Sequence, residues 1–394
     1  MRRTGTCAAY EDHKNTGRGS PPVWSVRSPE NRKEKSMGAA TLKTTKEDVY
    51  RKMLKTIVQE NPFAPGDYFQ TLFPPQVVIE NTCACTQHCK YCGRSYMGRS
   101  KGNMTRAMFG RIVHEIALES PLTEILPAFM GEALTYGDEL FVRLAMARRL
   151  GCQKIVLNTN GTLVEKYVSK ILEGNIDRII ISCDAHDPKT HRKVRPGKNT
   201  GGLEGVYRGV HALTKAMKEK GLKRPFVEVG FTVFDENVGE VDDFVAYWQK
   251  HGVITKTHPK GFHAGVIPGG TFRLSTGSNR IPCSWSRDTA VVLWNGNVVL
   301  CPCDADAKYV AGNVEAQTLR EIWNGPLKWI RELHYRRRFT DLPEVCRKCP
   351  DWQTRTSHMF FPDEKQKKEY IDFVRMGKPF IHQSSAPAAP PSVD

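Results

Sequence analysis

The sequence predicts an α/β chain: an open or partial TIM-like barrel of six β/α units, followed by a small cysteine-rich domain. Three observations predict it. Short β-branched runs alternate with amphipathic stretches from about residue 75 to 265, a pattern that implies parallel strands joined by right-handed crossovers. Four of the twelve cysteines fall within ten positions at the end of the first run, in "NTCACTQHCKYCGRSYM" (81–97). Beyond 265 the alternation gives way to a hairpin pattern with five more cysteines between 283 and 349.

Taken in order, residues 1–36 hold eight Lys/Arg against four Asp/Glu with no amphipathic period, so 1–40 reads as a disordered basic extension, and Met37 is an alternative start. Residues 41–74 form a helical segment. Its helix is "TTKEDVYRKMLKTIVQEN" (44–61), with a capping box at its start and Pro62 behind it. The barrel occupies 75–268. "PQVVIEN" is its first strand and runs into the cysteine loop; a helix near 105–119 shows Phe109, Ile112, Val113 and Ile116 on one face. Strands "EILPAFM", "KIVLN", "DRIIIS", "FVEVGFTVF" and "VITKTH" follow, separated by helices at 138–150, 163–174, 203–219 and 241–251. Ligands of such a barrel collect at the carboxyl ends of the strands.

The second domain spans 269–355. Its "TAVVLWNGNVVLCPC" reads as a hairpin with a type I′ turn at Asn295-Gly296, and "LREIWNG" as a short helix. Too few apolar residues remain for a good core, which a metal centre would supply. A C-terminal helix (356–383) and a disordered tail (384–394) complete the chain.

The 394 residues, 40% apolar, can bury a sizeable core. The formal charge of +16 is partly an end effect, the only dense basic run is "HYRRRF" (334–339), and no nucleic-acid-binding motif surrounds it. Nucleic acid is therefore not the expected partner. No apolar run approaches the roughly 18 residues of a spanning helix, so a soluble, cytoplasmic protein away from the membrane is expected. In a reducing cytoplasm, clustered thiols read as metal ligands or redox groups rather than disulfides.

Cys85, Cys89 and Cys92 have the spacing C-x3-C-x2-C, preceded by Cys83. Four thiols could bind zinc. Three thiolates on one loop can instead hold three irons of a [4Fe–4S] cluster and leave the fourth open to a ligand. With Tyr91 before the last cysteine, directly after the first strand of a βα series, the loop resembles that of the radical S-adenosylmethionine (SAM) enzymes. The resemblance implies a cluster on Cys85, Cys89 and Cys92 whose open iron is chelated by SAM. It also implies a SAM-binding set at the strand ends. Gly131 and Glu132 of "FMGEAL" stand where the family has a Gly-Gly-Glu segment, with Met130 for the first Gly; Asn158 ends the third strand; Ser182 and Asp184 resemble ribose-side contacts; Arg195 matches a segment reaching the SAM carboxylate. Tyr91 joins them as a cofactor-side residue, and Cys83 has no family role.

In the second domain, Cys283 is followed by Gly296 and Cys301 in the spacing C-x12-G-x4-C, and Cys346-x-x-Cys349 comes later. Spacing alone allows a zinc ribbon. With "GNV", "LREIWNG" and "CRKC" behind it, the segment resembles the SPASM/twitch extension of radical SAM enzymes. Full SPASM domains use more cysteines than the five here. The resemblance therefore implies one auxiliary [4Fe–4S] cluster on Cys283, Cys301, Cys346 and Cys349, with Cys303 spare: an inert neighbour, an alternative ligand or a thiol near the active site.

Such a chain is similar to the 2-deoxy-scyllo-inosamine dehydrogenase and aminoglycoside epimerase group. The resemblance implies that a 5′-deoxyadenosyl radical takes a hydrogen atom from a secondary alcohol carbon of a sugar or aminocyclitol, ending in oxidation or epimerisation. A flavodoxin or ferredoxin would supply electrons. Epimerisation needs a thiol that returns a hydrogen atom, for which Cys183 and Cys303 are candidates. His258, Lys260 and His263 at the barrel mouth are candidate substrate contacts, with His186 and His191 behind them. Two alternatives stay open: a SPASM-type maturase of ribosomal peptides, although 38–75 is too short for the usual peptide-recognition module, and a non-enzymatic iron–sulfur or zinc protein.

Overall fold

The structure is a computed structural model and describes residues 71–197, 201–261, 263–265, 267, 280 and 282–353. The expected N-terminal extension, the helix over 44–61, most of the connection after 265, the C-terminal helix and the tail lie outside the described residues.

The barrel elements run β1 (Gln76–Ile79), α1 (Arg106–Glu119), β2 (Glu124–Leu126), α2 (Asp138–Leu150), β3 (Lys154–Thr159), α3 (Val168–Ile171), β4 (Arg178–Ser182), α4 (Pro188–Val194), α5 (Gly202–Glu219), β5 (Phe226–Val233), α6 (Val241–Lys250) and β6 (Ile254–Pro259). All five pairings among the six strands are parallel, in chain order, which is the partial barrel the alternation predicts. Two helices depart from expectation. The stretch 163–174 is helical only from a 3-10 turn at Glu165–Tyr167 through α3, ending before Gly174 at φ 85°. Conversely α4 forms where no helix was read, because Asp187 accepts from the Lys189 and Thr190 N–H groups and Pro188 fills the first helical position.

The second region contributes α7 (Ser284–Asp288), β7 (Thr289–Val292), β8 (Asn297–Val299), β9 (Val310–Asn313), α8 (Leu319–Asn324), α9 (Pro326–Tyr335) and α10 (Glu344–Arg347). Its strands extend the barrel's own sheet. β7 pairs in parallel with β1, and β8 and β9 add antiparallel, for the order β6-β5-β4-β3-β2-β1-β7-β8-β9. The edge that β1 would otherwise expose is thereby covered. The hairpin turn differs from the expected type I′. Gly296 has φ 84° but Asn295 is not left-handed, and Leu293 N–H reaches Asn297 O at 2.8 Å, so the loop is longer than two residues.

Strand alternation sorts side chains between two layers. Val77, Ile79, Ile155, Leu157, Ile179 and Ile181 face the helices and form the main core. Val78, Leu126, Val156, Val291 and Val299 face the opposite side, the barrel lumen. Toward the amino ends of the strands this lumen is closed by polar pairs: Gln76 Nε2 donates to Glu124 at 2.7 Å, Lys154 lies 3.1 Å from Glu124, and Arg178 pairs with Glu228. Substrate access is left to the carboxyl ends. Among the described residues no helix is long and apolar enough to cross a membrane.

Candidate metal centres

The cysteine loop leaves the carboxyl end of β1 and is clamped by neighbouring strand ends. Glu132 N–H donates to Ala84 O at 2.7 Å, Arg94 Nε to Cys83 O at 2.9 Å, and the His88 and Lys90 N–H groups to Pro196 O at 2.7 Å and Val194 O at 3.0 Å, just beyond α4 and at its last residue. Gly131 lies directly on this loop. A Cβ there would stand 2.1 Å from Thr82 O and 2.8 Å from Ala84 O. Cys85, Cys89 and Cys92 are half-buried on the loop, whereas Cys83 is buried beneath it. Burial pushes all three thiols up, Cys89 to about 11, and the neighbouring thiols add to the effect at Cys89 and Cys85.

The residues expected around SAM meet here, though several are engaged by protein. The Glu132 carboxylate accepts from Thr159 Oγ1 at 2.7 Å, Asn160 N–H at 2.6 Å and Leu134 N–H at 3.1 Å. Asp184, fully buried at φ 59°, pairs with Arg195 and accepts from the Thr232 N–H at 2.5 Å and the Tyr91 hydroxyl. Burial raises its pKa, but the Arg195 guanidinium, with Thr232 and Tyr91, overrides this and holds it below the usual carboxylate range. Arg195 Nη1 also reaches Gln87 Oε1 at 3.2 Å, inside the cysteine loop. Asp184 thus anchors Arg195 and Tyr91. Asn158 shares the parity of Val156 and Ser182 that of Ile180, so both face the lumen, and Asn158 Oδ1 is buried without a partner.

Cys183 calls for a correction. It has the parity of Ile179 and Ile181, is fully buried in the helix-side core, and its thiol donates to Ala185 O at 3.4 Å. Burial pushes it to about 12. It does not face the lumen, where a hydrogen-atom donor would have to stand.

Among the expected substrate contacts, His258 is registered with Thr232 and lies 3.4 Å from its hydroxyl, on the lumen side; burial lowers its pKa. Lys260 follows it and its pKa is also lowered by burial. His263 stands apart from them: its Nδ1 would lie 2.8 Å from a Cβ on Gly93, next to Cys92, and it lines a small cavity with Cys303. His186 bonds Tyr207 at 2.8 Å, and His191 is buried with both ring nitrogens unpartnered. Asn160 was not read from the sequence. Its Nδ2 lies 3.8 Å from Cys85 Sγ and 2.9 Å from Thr86 Oγ1, and the signal for it was the second Asn of "LNTNGT".

In the second region Cys283, Cys301, Cys303, Cys346 and Cys349 all line one cavity, although they come from distant segments. Burial pushes Cys283 to about 12, with the Cys301 and Cys349 charges adding; hydrogen bonds to Cys301 and Cys349, then burial, hold Cys303 well above the ordinary thiol range. Cys303 thus lines the same cavity as the other four thiols, a fifth thiol where four suffice to ligate a cluster. Uncharged, these thiols repel a proton loss; irons in their midst would supply the positive charge that makes them thiolates. Among the described residues no three Cys, His, Asp or Glu side chains converge to hold a single metal ion, and the all-thiol donor chemistry of both sets suits clusters in which each iron takes one thiolate. At the first, the unpartnered buried Gln87 Nε2 and Asn158 Oδ1 add polar atoms suited to a ligand.

A family model of the radical SAM superfamily matches residues 79–247, and one of an iron–sulfur cluster-binding domain, SPASM, matches 283–350. The chain therefore carries a radical SAM domain followed by a SPASM domain. Radical SAM domains bind a [4Fe–4S] cluster with SAM, and SPASM domains bind auxiliary iron–sulfur clusters. The chain is 31% identical over 181 residues to a probable GTP 3′,8-cyclase of Methanococcus aeolicus, covering 45% of this chain and 56% of that protein. It spans about half the length of the curated relatives it matches. Its fold is similar to that of BtrN, solved in complex with AdoMet and 2-DOIA, at 21% identity and TM-score 0.50 over 71% of this chain and 94% of that one. It is also similar to anSMEcpe with bound AdoMet, at 16% identity and TM-score 0.52 over 76% and 97%.

Proposed function

We propose that this enzyme oxidises a secondary alcohol of a sugar or aminocyclitol to a ketone, with Cys85, Cys89 and Cys92 holding the SAM-binding cluster and four of the five C-terminal thiols closing an auxiliary cluster. The observation that carries the reading is the buried cavity lined by five thiols, enough for complete ligation and so suited to taking up an electron rather than binding substrate. When bound, SAM and its cluster would supply the radical chemistry that removes one hydrogen atom, and a cluster on the C-terminal thiols would take up one electron. The hydroxyl proton passes to His258, whose lowered pKa keeps it neutral near pH 7 and able to accept. Hydrogen atom, proton and electron together convert the alcohol to the ketone.

Oxidation is favoured over epimerisation by the two candidate donor thiols: Cys183 faces the helices and Cys303 is tied to Cys301 and Cys349. The Gly131 segment and Asn158 would orient SAM and Arg195 would meet its carboxylate, with Asp184 and Tyr91 holding Arg195 in place. A flavodoxin or ferredoxin of the reducing cytoplasm delivers electrons.

Anaerobic reconstitution is the first test, with about eight irons per chain and 5′-deoxyadenosine from SAM and dithionite expected. Bound zinc without SAM cleavage would overturn the reading. Next, aminocyclitols deuterated at each carbinol carbon should pass deuterium to 5′-deoxyadenosine and yield a trappable ketone. Solvent deuterium returning to recovered alcohol would mean epimerisation instead. The barrel's identity to proteins named GTP 3′,8-cyclase favours a second reading, a nucleotide substrate. GTP-dependent 5′-deoxyadenosine without a ketone product would select it.

A further inference from the structure

His334 opens the run "HYRRRF", yet it is fully buried in α9 while the three arginines behind it are exposed. Its imidazole spans two thiol-bearing segments far apart in the chain. The Cys283 backbone N–H points at Nδ1 at 3.4 Å, and Nε2 lies 3.3 Å from Cys346 Sγ. A backbone N–H can only donate, so Nδ1 must present its lone pair and the ring proton must sit on Nε2. Nε2–H then points at the Cys346 sulfur. Arg280 adds a cationic donor to the same residue, with Nη2 2.9 Å from Cys346 O and 3.9 Å from Sγ.

We propose that His334 is a positioning residue of the auxiliary centre: it locks the Cys283 and Cys346 segments together and donates an Nε2–H···S hydrogen bond that raises the reduction potential of the cluster they hold. The inference rests on the two-cluster reading above. A thiolate that carries iron gains negative charge when the cluster is reduced, and a donor aimed at its sulfur stabilises that state. Removing the donor leaves the cluster harder to reduce and a poorer acceptor for one electron from substrate. Burial of an imidazole among apolar side chains without such a partner would be costly, which is why a histidine rather than a leucine at this core position points to a role at the sulfur.

The test uses the full chain carrying Cys85→Ala, Cys89→Ala and Cys92→Ala, reconstituted anaerobically so that only the auxiliary cluster contributes, with EPR-monitored redox titration. About four irons per chain are expected in the parent, in His334→Gln and in His334→Phe. His334→Phe should titrate lower, by about tenfold in the reduced-to-oxidised ratio at a fixed potential, which is about 59 mV for one electron. His334→Gln, whose side-chain amide can still donate, should recover much of that shift. Equal midpoints in all three overturn the inference alone, whereas a parent chain without iron overturns the cluster reading and this inference with it. Should His334→Phe lose its iron, the unsubstituted holoenzyme labelled with ¹⁵N-histidine decides. Hyperfine coupling of one ¹⁵N to the reduced auxiliary cluster supports the hydrogen bond, and its absence overturns it.

Discussion

The two thiol sites are built on opposite plans. At the first, three half-buried cysteines lie on one loop, and the surrounding segments clamp its backbone while Asn160 reaches the Cys85 sulfur. At the second, five mostly buried thiols come from the segment before α7, the end of β8 and the α10 turn, and close around a common cavity. A local, three-legged site leaves a coordination position for a ligand that must enter and leave. A site closed by many segments excludes ligands and suits a centre that only exchanges electrons. The difference also predicts separate consequences: loss of the first site should spare the fold, whereas loss of the second should weaken its own region.

The sharpest way to break the comparison is at the loop. Cys85→Ala, Cys89→Ala or Cys92→Ala should abolish SAM cleavage and lower iron by about half, leaving the far-UV circular dichroism unchanged. Loss of folding on any of these substitutions would show that the first site is as structural as the second. At the second site Cys283→Ala should lose the auxiliary iron and lower the thermal midpoint, because the thiols staple segments with a small core of their own.

Next in size is the anchor between the sites of chemistry. Asp184→Asn leaves the buried Arg195 without its charge partner, a loss of about 3–5 kcal/mol in urea unfolding. The sign of its pH dependence follows from the lowered pKa. A carboxylate depressed in the folded state stabilises the fold above the ordinary carboxylate range, and the contribution fades as pH falls through the lowered value. Acid unfolding of the unsubstituted protein should therefore steepen below about pH 4, and Asp184→Asn should flatten that limb.

Gly131→Ala should cost less, about 1–3 kcal/mol, since the new methyl must push the Thr82–Ala84 backbone aside. Its signature is selective: iron falls at the first site and stays at the second. The smallest effect is expected of Cys303→Ala. Four thiols remain around the cavity, so iron should be retained; loss of the auxiliary cluster would make Cys303 a ligand and one of the other four the spare.

How much of this was legible in the sequence follows from how far apart the partners lie. The cysteine loop, the six strands and helices α1, α2, α5 and α6 were readable because periodicity and spacing are local properties. Helix α4 was readable in principle from Asp187-Pro188, a capping signal that the residue pattern around it obscured. Asp184, Glu132 and Arg195 were visible as residues of interest, but their partners were not, since Thr232, Asn160 and Gln87 reach them from other strand ends. Cys183 was misjudged for lack of one piece of information, which side of β4 it occupies, and a shift of one residue reverses the face.

By itself, then, the sequence determined the order of strands and helices, the three-thiol loop and the two groups of cysteines, because each is written in residues close together in the chain. Only the tertiary structure decided that β7 joins the barrel's sheet beside β1, that Cys303 belongs with the other four thiols, and that His334 reaches Cys346. Those depend on segments from about ten to hundreds of residues apart being brought together by burial of apolar side chains, and no local spacing encodes where such segments will meet.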